Sequence, residues 1–366
     1  TAYKQANLMQ KISFKPSEGS TIDYAFHYSS TGNIPRYDRL IEKRDGKLRF
    51  ARWDYGPQRW MMQQVNWKTT NPTKIYDQAK ITAASQYFEE SRIDRRVGNP
   101  TQFERIEKVQ ASSLNADFIK NLFKSHFLNY GFEAVINQVD SRGQAINISN
   151  QQVTDASARY PNSSWTSWAI YANYAAPLSP KLKMQSALRY NINGINADFS
   201  NNFKFYPLPV LQFKDNYHSI TGNLGLVYQV DPSFSISPQL ATGFRAPNVD
   251  DMGKFFDSEP GSLLVPNPQL KPEYAYNAEL NLNKELFGTL KVDVTGYYTW
   301  LDKAMVRRPT TFNGQSELLY DGELSQLFSL QNAAFAEVKG IQAGIEVAIS
   351  KELLLPSNYN WQKGVE

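Results

Sequence analysis

SWTSWAIYANYAAPLSPKLKMQSALRYNIN, residues 164–193, decides the fold. In its first half Trp168, Ile170, Ala172 and Tyr174 share one face, and Ser167, Ala169 and Asn173 share the other. After Pro177-Leu178-Ser179-Pro180 the alternation resumes. Leu182, Met184, Leu188 and Tyr190 lie opposite Lys181, Lys183, Gln185, Arg189 and Asn191. Side chains of a strand alternate between faces with period two, so this is a hairpin with one apolar and one polar side. Soluble strands average about five or six residues, whereas a tilted membrane-spanning strand needs about nine to eleven. Both halves exceed that length, and aromatics sit near the ends of the apolar face. The hairpin reads as part of an outer-membrane barrel wall.

Composition agrees. In 366 residues there are 39 basic and 35 acidic side chains, scattered along the chain, which leaves nucleic-acid binding without a footprint. No run of eighteen apolar residues exists, so helical membrane spans are excluded. The mean hydropathy of −0.51 is compatible with a barrel, because only alternate residues of each strand face lipid. The chain has no cysteine, which excludes disulfides and thiolate metal sites and fits an oxidising periplasmic route. Thr1–Gln5 does not read as a signal peptide, and Asn360–Glu366 reads as loop-like polar sequence. A fragment or a processed chain is the expectation.

The strand pattern repeats along the chain. Strands are expected near 7–15, 21–30, 58–69, 74–90, 102–121, 127–140, 164–177, 181–193, 216–230, 233–246, 273–286, 289–303 and 333–350. Short connections (16–20, 71–73, 122–126, 177–180, 231–232, 287–288) alternate with long ones (31–57, 91–101, 141–163, 194–215, 247–272, 304–332). Short turns on one side and long loops on the other is the arrangement of outer-membrane barrels, with the turns in the periplasm. Loops longer than about twelve to fifteen residues are unusual and usually functional, so the long side is the expected binding surface. The faces segregate as lipid requires. Tyr274, Tyr276, Ala278, Leu280 and Leu282 oppose Glu273, Asn277, Glu279, Asn281 and Asn283. A charge on the lipid face costs about 2–4 kcal/mol at the midplane.

Two motifs flank the fifth long loop. In Ala241-Thr242-Gly243-Phe244-Arg245-Ala246-Pro247-Asn248, Gly243 and Pro247 end a strand and leave Arg245 facing the lumen near the rim. In Pro266-Asn267-Pro268-Gln269-Leu270-Lys271-Pro272-Glu273-Tyr274, prolines lead into the next strand before its ladder begins.

Together these resemble the Phe-Arg-Ala-Pro box and the Asn-Pro-x-Leu-Lys-Pro-Glu segment of TonB-dependent outer-membrane receptors. Val338–Glu346 and Ile34–Leu40 are similar to further segments of that family. The resemblance covers residues 1–366, all as an antiparallel up-and-down transmembrane β-barrel. About 13 of the 22 strands such a barrel holds are expected here, with the N-terminal plug and the last strands missing. It implies active uptake of a scarce nutrient across the outer membrane of a Gram-negative bacterium, most often a ferric siderophore or related iron complex. The implied partners are outer-membrane lipid, the small-molecule chelate, and the TonB energy-transducing complex reached through the missing plug. Haem, cobalamin and glycans are the other substrates of the family. Its haem receptors place a histidine between the two boxes, and Val249–Val265 has none. His126 falls in an expected short turn and His218 on an outward face.

The motif residues Phe244, Arg245, Ala246, Pro247, Asn248, Asn267, Pro268, Leu270, Lys271, Pro272 and Glu273 are the candidate rim site. Arg245 is read first as a rim hydrogen-bonding residue, with ligand contact as the alternative. Trp53, Tyr55, Asp250 and Asp251 are candidate external-loop ligand contacts. Trp53 and Tyr55 read first as interfacial-girdle or loop-packing residues, with stacking on a catecholate or haem ring as the alternative. Asp250, Asp251, Asp257 and Glu259 make the fifth loop acidic, read first as a solvated loop, with cation coordination as the alternative. No catalytic, cofactor or resident metal site is expected, because no phosphate loop, dinucleotide turn, zinc spacing or Ser/His/Asp arrangement stands out. The rival readings are a passive porin and a soluble or surface-attached β-rich glycan-binding module. A folded membrane barrel partitions into detergent and runs with heat-modifiable mobility on a gel. Failure of both would leave the soluble module standing.

Overall fold

The computed structural model describes residues 3–44, 46–123, 125–206, 211–259, 261–320, 323–332 and 335–365. Two-residue alternation becomes one antiparallel meander of long strands. They are β1 (Gln5–Ser17), β2 (Ser20–Thr31), β3 (Arg59–Thr69), β4 (Gln78–Arg96), β5 (Thr101–Phe123), β6 (His126–Asn147) and β7 (Asn162–Ser179). There follow β8 (Leu182–Asp198), β9 (Gln212–Asp231), β10 (Phe234–Arg245), β11 (Glu273–Leu286), β12 (Leu290–Asp302), β13 (Phe335–Ala348) and β14 (Leu354–Val365). Each pairs with the next in the chain, from β1 on β2 to β13 on β14. Among the described residues β1 and β14 do not pair with each other, and both carry exposed side chains throughout.

The register confirms the two faces of the opening stretch. Phe132, Ile170, Tyr190 and Ile220 lie directly opposite one another across β6–β9. Ile170 is 62% exposed and Ile220 67%, a row of apolar side chains on the outside of the wall. The next residues along face inward and are polar. Asp117, Tyr171 and Arg189 fall in one such row, with Glu133 and Asn191 in its neighbours. Tyr171 donates to Asp117, and Arg189 bonds Glu133 at 3.0 Å and Asn191 at 2.8 Å. Gly131 makes room for that row. A Cβ there would sit 2.2 Å from the Ala116 carbonyl oxygen and 2.6 Å from the Tyr171 hydroxyl.

The turns at the short end follow local chemistry. Phe287 and Gly288 both take positive φ, which matches the right-handed twist of the flanking strands. Asp231 closes its own turn by accepting from the Ser233 backbone N–H at 2.8 Å and hydroxyl at 2.7 Å.

Four expectations change. Residues 91–101 are not a long loop: β4 runs to Arg96, β5 starts at Thr101, and the strands from β4 to β9 are 17 to 23 residues long. They project beyond the roughly nine to eleven residues a membrane needs. β4 starts at Gln78 rather than 74, because Asp77 is held in the turn by the Asn121 backbone N–H (2.8 Å) and Lys120 (2.7 Å). His126 opens β6 instead of lying in a turn. Leu354–Val365, whose end had read as loop, is a fourteenth strand: backbone pairing carries it from Ala348/Leu354 to Glu337/Val365 although only Leu355, Tyr359 and Trp361 mark its outer face. Residues 333 and 334 of the expected last strand lie outside the described residues.

The long connections fold inward. Phe50–Tyr55 replaces β3 as the neighbour of β4 beyond Glu89, from Phe50/Arg96 to Tyr55/Arg92. Met305–Pro309, Glu317–Tyr320 and Ser262–Leu264 all pair with a central strand, Glu323–Asn332, the last of them in parallel. Ala197, Phe199, Phe255, Leu263, Val265, Phe312, Tyr320 and Leu327 form the apolar core beneath them.

Gly131→Val is expected to destabilise the folded wall by about 1–3 kcal/mol through overpacking against Tyr171. Urea unfolding in detergent, with Gly288→Val as a turn comparison, measures it. An unchanged midpoint for Gly131→Val would show that the Tyr171 ring is not held over residue 131.

Candidate functional site

The two proline-bearing motifs form one joint. Arg245 ends β10 opposite Glu273, the first residue of β11. Its guanidinium donates to Glu273 Oε1 at 3.2 Å and to Asp251 Oδ1 at 2.6 Å. The second Glu273 oxygen accepts from the Met305 backbone N–H at 2.8 Å. Asn248 and Asp251 cap the short helix Val249–Gly253 reciprocally, each side chain accepting from the other's backbone N–H at 3.0 and 3.1 Å. Ala246 packs against a second core, which holds Ile195, Tyr217, Val249, Met252 and Leu270, and Pro247 is fully buried.

Asn267 completes the joint. Its backbone N–H reaches the Met252 carbonyl at 3.0 Å, and its side-chain amide reaches the Leu330 carbonyl at 2.8 Å. Its side-chain oxygen accepts from Gln269 N–H at 3.1 Å across Pro268. The Lys271 backbone exchanges two bonds with the Asn332 side chain, at 2.9 and 2.8 Å, just before Pro272 leads into β11. The motif residues are therefore brought together, and their polar groups serve loop docking. Asp250 and Asp251 belong to the same joint. Asp250 accepts from the Tyr160 hydroxyl at 2.7 Å and pairs with Lys254 at 3.2 Å. Burial opposes its charge, yet these two donors hold it below the ordinary carboxylate value. The side chains of Asp257 and Glu259 lie outside the described residues.

Trp53 and Tyr55 lie elsewhere, on the strand paired with β4. Their rings meet edge to face at 5.1 Å. Arg36 lies 5.3 Å from the Trp53 ring centre and 4.9 Å from that of Tyr55, and Arg92 approaches the Tyr55 ring at 4.8 Å. Arg39 adds a third cation at 5.9 Å from Trp53. Arg36 stays partly exposed and paired with Asp38, whose carboxyl it holds down to about 2. The result is a cluster of cations layered on two aromatic rings beside the inner face.

Between these two places runs a ladder of charges on the inside of the projecting wall, which the sequence reading missed. Arg105 pairs with Asp94 at 3.0 Å; Arg159, from the loop before β7, bridges Glu90 at 3.2 Å and Glu107 at 3.1 Å. Glu323 lies between Arg49 and Arg96, at 2.6 Å from each, with 2% of its side chain exposed. Burial alone would raise its carboxyl, but the hydrogen bonds and charge of the two arginines leave it below its ordinary 4.5. The signal was present: Glu90, Arg92, Asp94 and Arg96 alternate with period two, the mark of a strand with one charged face. Among the described residues no group of three His, Cys, Asp or Glu side chains is placed to hold a metal ion.

A family model for "TonB dependent receptor-like, beta-barrel" matches residues 8–366. The chain is 34% identical over 92 residues to the vitamin B12 transporter BtuB of Vibrio vulnificus (strain CMCP6), a match covering 25% of this chain and 13% of that protein. Among solved structures it is similar to the copper transporter OprC, with a TM-score of 0.72 and 13% identity over 99% of this chain and 53% of that one. It is likewise similar to the ferric yersiniabactin uptake receptor FyuA from Yersinia pestis, with a TM-score of 0.67 and 13% identity over 99% of this chain and 52% of that one. The chain spans about half the length of these solved structures and a smaller share of the B12 transporter.

Arg245→Ala strips one partner each from Asp251 and Glu273. With the guanidinium half exposed, a loss of about 1–2 kcal/mol is expected. It should appear as faster proteolysis within 246–272, and wild-type rates would rule the joint out. Glu323 has a lowered folded pKa, so its stabilisation is complete above about pH 4.5 and is lost as pH falls through the lowered value. The protection of amides in 303–332, taken relative to their intrinsic exchange rates at each pH, should therefore fall on acidification below about pH 4.5, and Glu323→Gln should lose that step. Identical acid profiles for the two would refute the assignment.

Proposed function

Because this chain belongs to the TonB-dependent receptor family, as a Gram-negative outer-membrane β-barrel segment of it, we propose that it forms the wall and outer loops of a receptor taking up an anionic iron chelate, most simply a ferric siderophore. The observation that carries this reading is the layered cluster of Arg36, Arg39 and Arg92 on Trp53 and Tyr55. Guanidinium groups hold negative oxygens with directional hydrogen bonds, and Trp53, itself buried, backs Arg36 and the partly exposed Tyr55, which would meet the chelate. External loops would capture the chelate. The polar inner wall of Asp117, Glu133, Tyr171, Arg189 and Asn191 would offer it exchangeable hydrogen bonds on its way past a plug moved by the energy-transducing partner.

A corrinoid is the second reading, favoured by the 92-residue match to the B12 transporter. The two separate in one experiment. A deletion strain grown on defined iron sources should lose growth on one class of ferric chelate and regain it with the full-length gene. In the purified receptor, Arg36→Ala combined with Trp53→Ala should weaken that chelate about tenfold or more, the worth of one lost cation–ring contact with its charge. Saturable cobalamin binding without any response to iron chelates would replace the first reading with the second.

A further inference from the structure

Among the described residues, the ladder between β9 and β10 is incomplete. β9 pairs with β8 along its whole length, from Leu182/Tyr228 to Asp198/Gln212. β10 pairs with β11 along its whole length, from Phe234/Lys284 to Arg245/Glu273. Between β9 and β10 the ladder stops at Asn223/Ala241, so among the described residues no strand pairs with β9 on that side from Gln212 to Gly222. Even the paired part is interrupted, passing from Gly225/Gln239 to Tyr228/Ile236 around Pro238, which has no N–H to give.

The edge is finished by side chains. Thr242 Oγ1 accepts from the Gly222 backbone N–H at 2.8 Å, in place of a backbone carbonyl. Higher up, the Tyr274 hydroxyl crosses to the His218 carbonyl at 3.4 Å. Phe244, 5.1 Å from the Tyr274 ring, packs through the gap against the inner core of Ile195, Tyr217 and Leu270. Unpaired backbone groups facing lipid are costly, so a gap capped in this way is a built feature rather than a frayed end.

Below Phe244 the gap remains open, with a cavity on each side. The outer one, about 760 Å³, is lined by Leu188, Ile220, Leu224, Leu240, Tyr276 and Trp300. The inner one, about 380 Å³, is lined by Tyr171, Asn173, Arg189, Thr221 and Asn223. Both reach Ala187, Gly222, Ala241 and Thr242, so the two cavities lie on opposite sides of the same stretch of wall. No side chain can fill the gap from residue 222, where a Cβ would lie 2.5 Å from the Ala187 carbonyl oxygen. Across the thickness of one strand the lining passes from apolar to hydrogen-bonding and cationic.

We infer that this seam is a lateral window on the loop side of the wall that takes the acyl chain of an outer-leaflet lipid. The groove is continuous with the lipid-facing band of β8–β12, so an acyl chain is what lies against it. The rings of Tyr276 and Trp300, 5.5 Å apart, flank its mouth at the depth where aromatic girdles meet the bilayer surface. The chain lies along Leu188, Ile220 and Leu224, and the thinned wall lets it reach the inner side beside Thr221.

The test uses the full-length receptor in liposomes, with single cysteines in a background free of others. Thr221→Cys stands on the inner side of the window. Thr295→Cys stands on the inner side of a fully paired region, opposite Asn281 and Gln342. The probe is N-hexadecylmaleimide dissolved in the bilayer, and heat-modifiable mobility confirms that each variant is folded. Thr221→Cys is expected to react roughly tenfold faster than Thr295→Cys, and adding Ala241→Phe to fill the gap should bring it to the slower rate. Equal rates at the two positions, or a fast rate that Ala241→Phe leaves unchanged in folded protein, would overturn the proposal.

Discussion

Hydrocarbon offers no hydrogen-bond partner to a peptide group, and this structure is arranged around that constraint. It forces each strand to be paired by its neighbours, which a meander of adjacent antiparallel strands achieves with the shortest connections. Period-two alternation then does the rest. Once a strand is paired on both edges, one set of side chains must meet lipid and the other must meet the interior, so Ile170 and Ile220 face out while Arg189 and Glu133 face in. The exception at the β9–β10 seam is informative for the same reason. Where the ladder stops, Thr242 and Tyr274 supply hydrogen bonds that a strand would otherwise have made.

A polar inner face creates a second requirement. The long loops fold inward against it, and their charges must be met there. Arg159 finds Glu90 and Glu107 on the wall, and Glu323 finds Arg96 there and Arg49 on another connection. Buried ion pairs add little net stability compared with apolar packing, but removing one partner strands the other, so alternative loop arrangements are penalised. The Arg245–Asp251–Glu273 joint works alike at the rim: one guanidinium fixes the end of β10, the capped helix and the start of β11.

How legible this was differs by element. The hairpin at 164–193 was readable because its outer face is apolar from Trp168 to Tyr190 apart from Ser186 and its turn is marked by two prolines. Leu354–Val365 was not, because Asn358, Asn360 and Gln362 surround Tyr359 and Trp361, and its backbone is defined by what it pairs with. The stretch from Ser91 to Arg96 reads as loop when hydrophobicity is the criterion. Above the membrane the outer face no longer needs to be apolar, so the strand continues without its usual mark. The motif residues were recognisable as a set, but their joint role depends on Met305, Leu330 and Asn332, which no local pattern connects to them.

By itself the sequence determined the class of wall, the side on which its long connections lie, and the lipid-facing row of most strands. These follow from covalent alternation and from the cost of charge in lipid, both local properties of the chain. Tertiary structure alone decided which distant charges neutralise one another, how the loops close over the inner wall, and where the ladder between β9 and β10 ends. Those outcomes depend on pairings between residues as far apart as Arg49 and Glu323 and on the room left by glycines such as Gly131 and Gly222. Such closeness is a property of the folded wall and leaves no periodic trace along the chain.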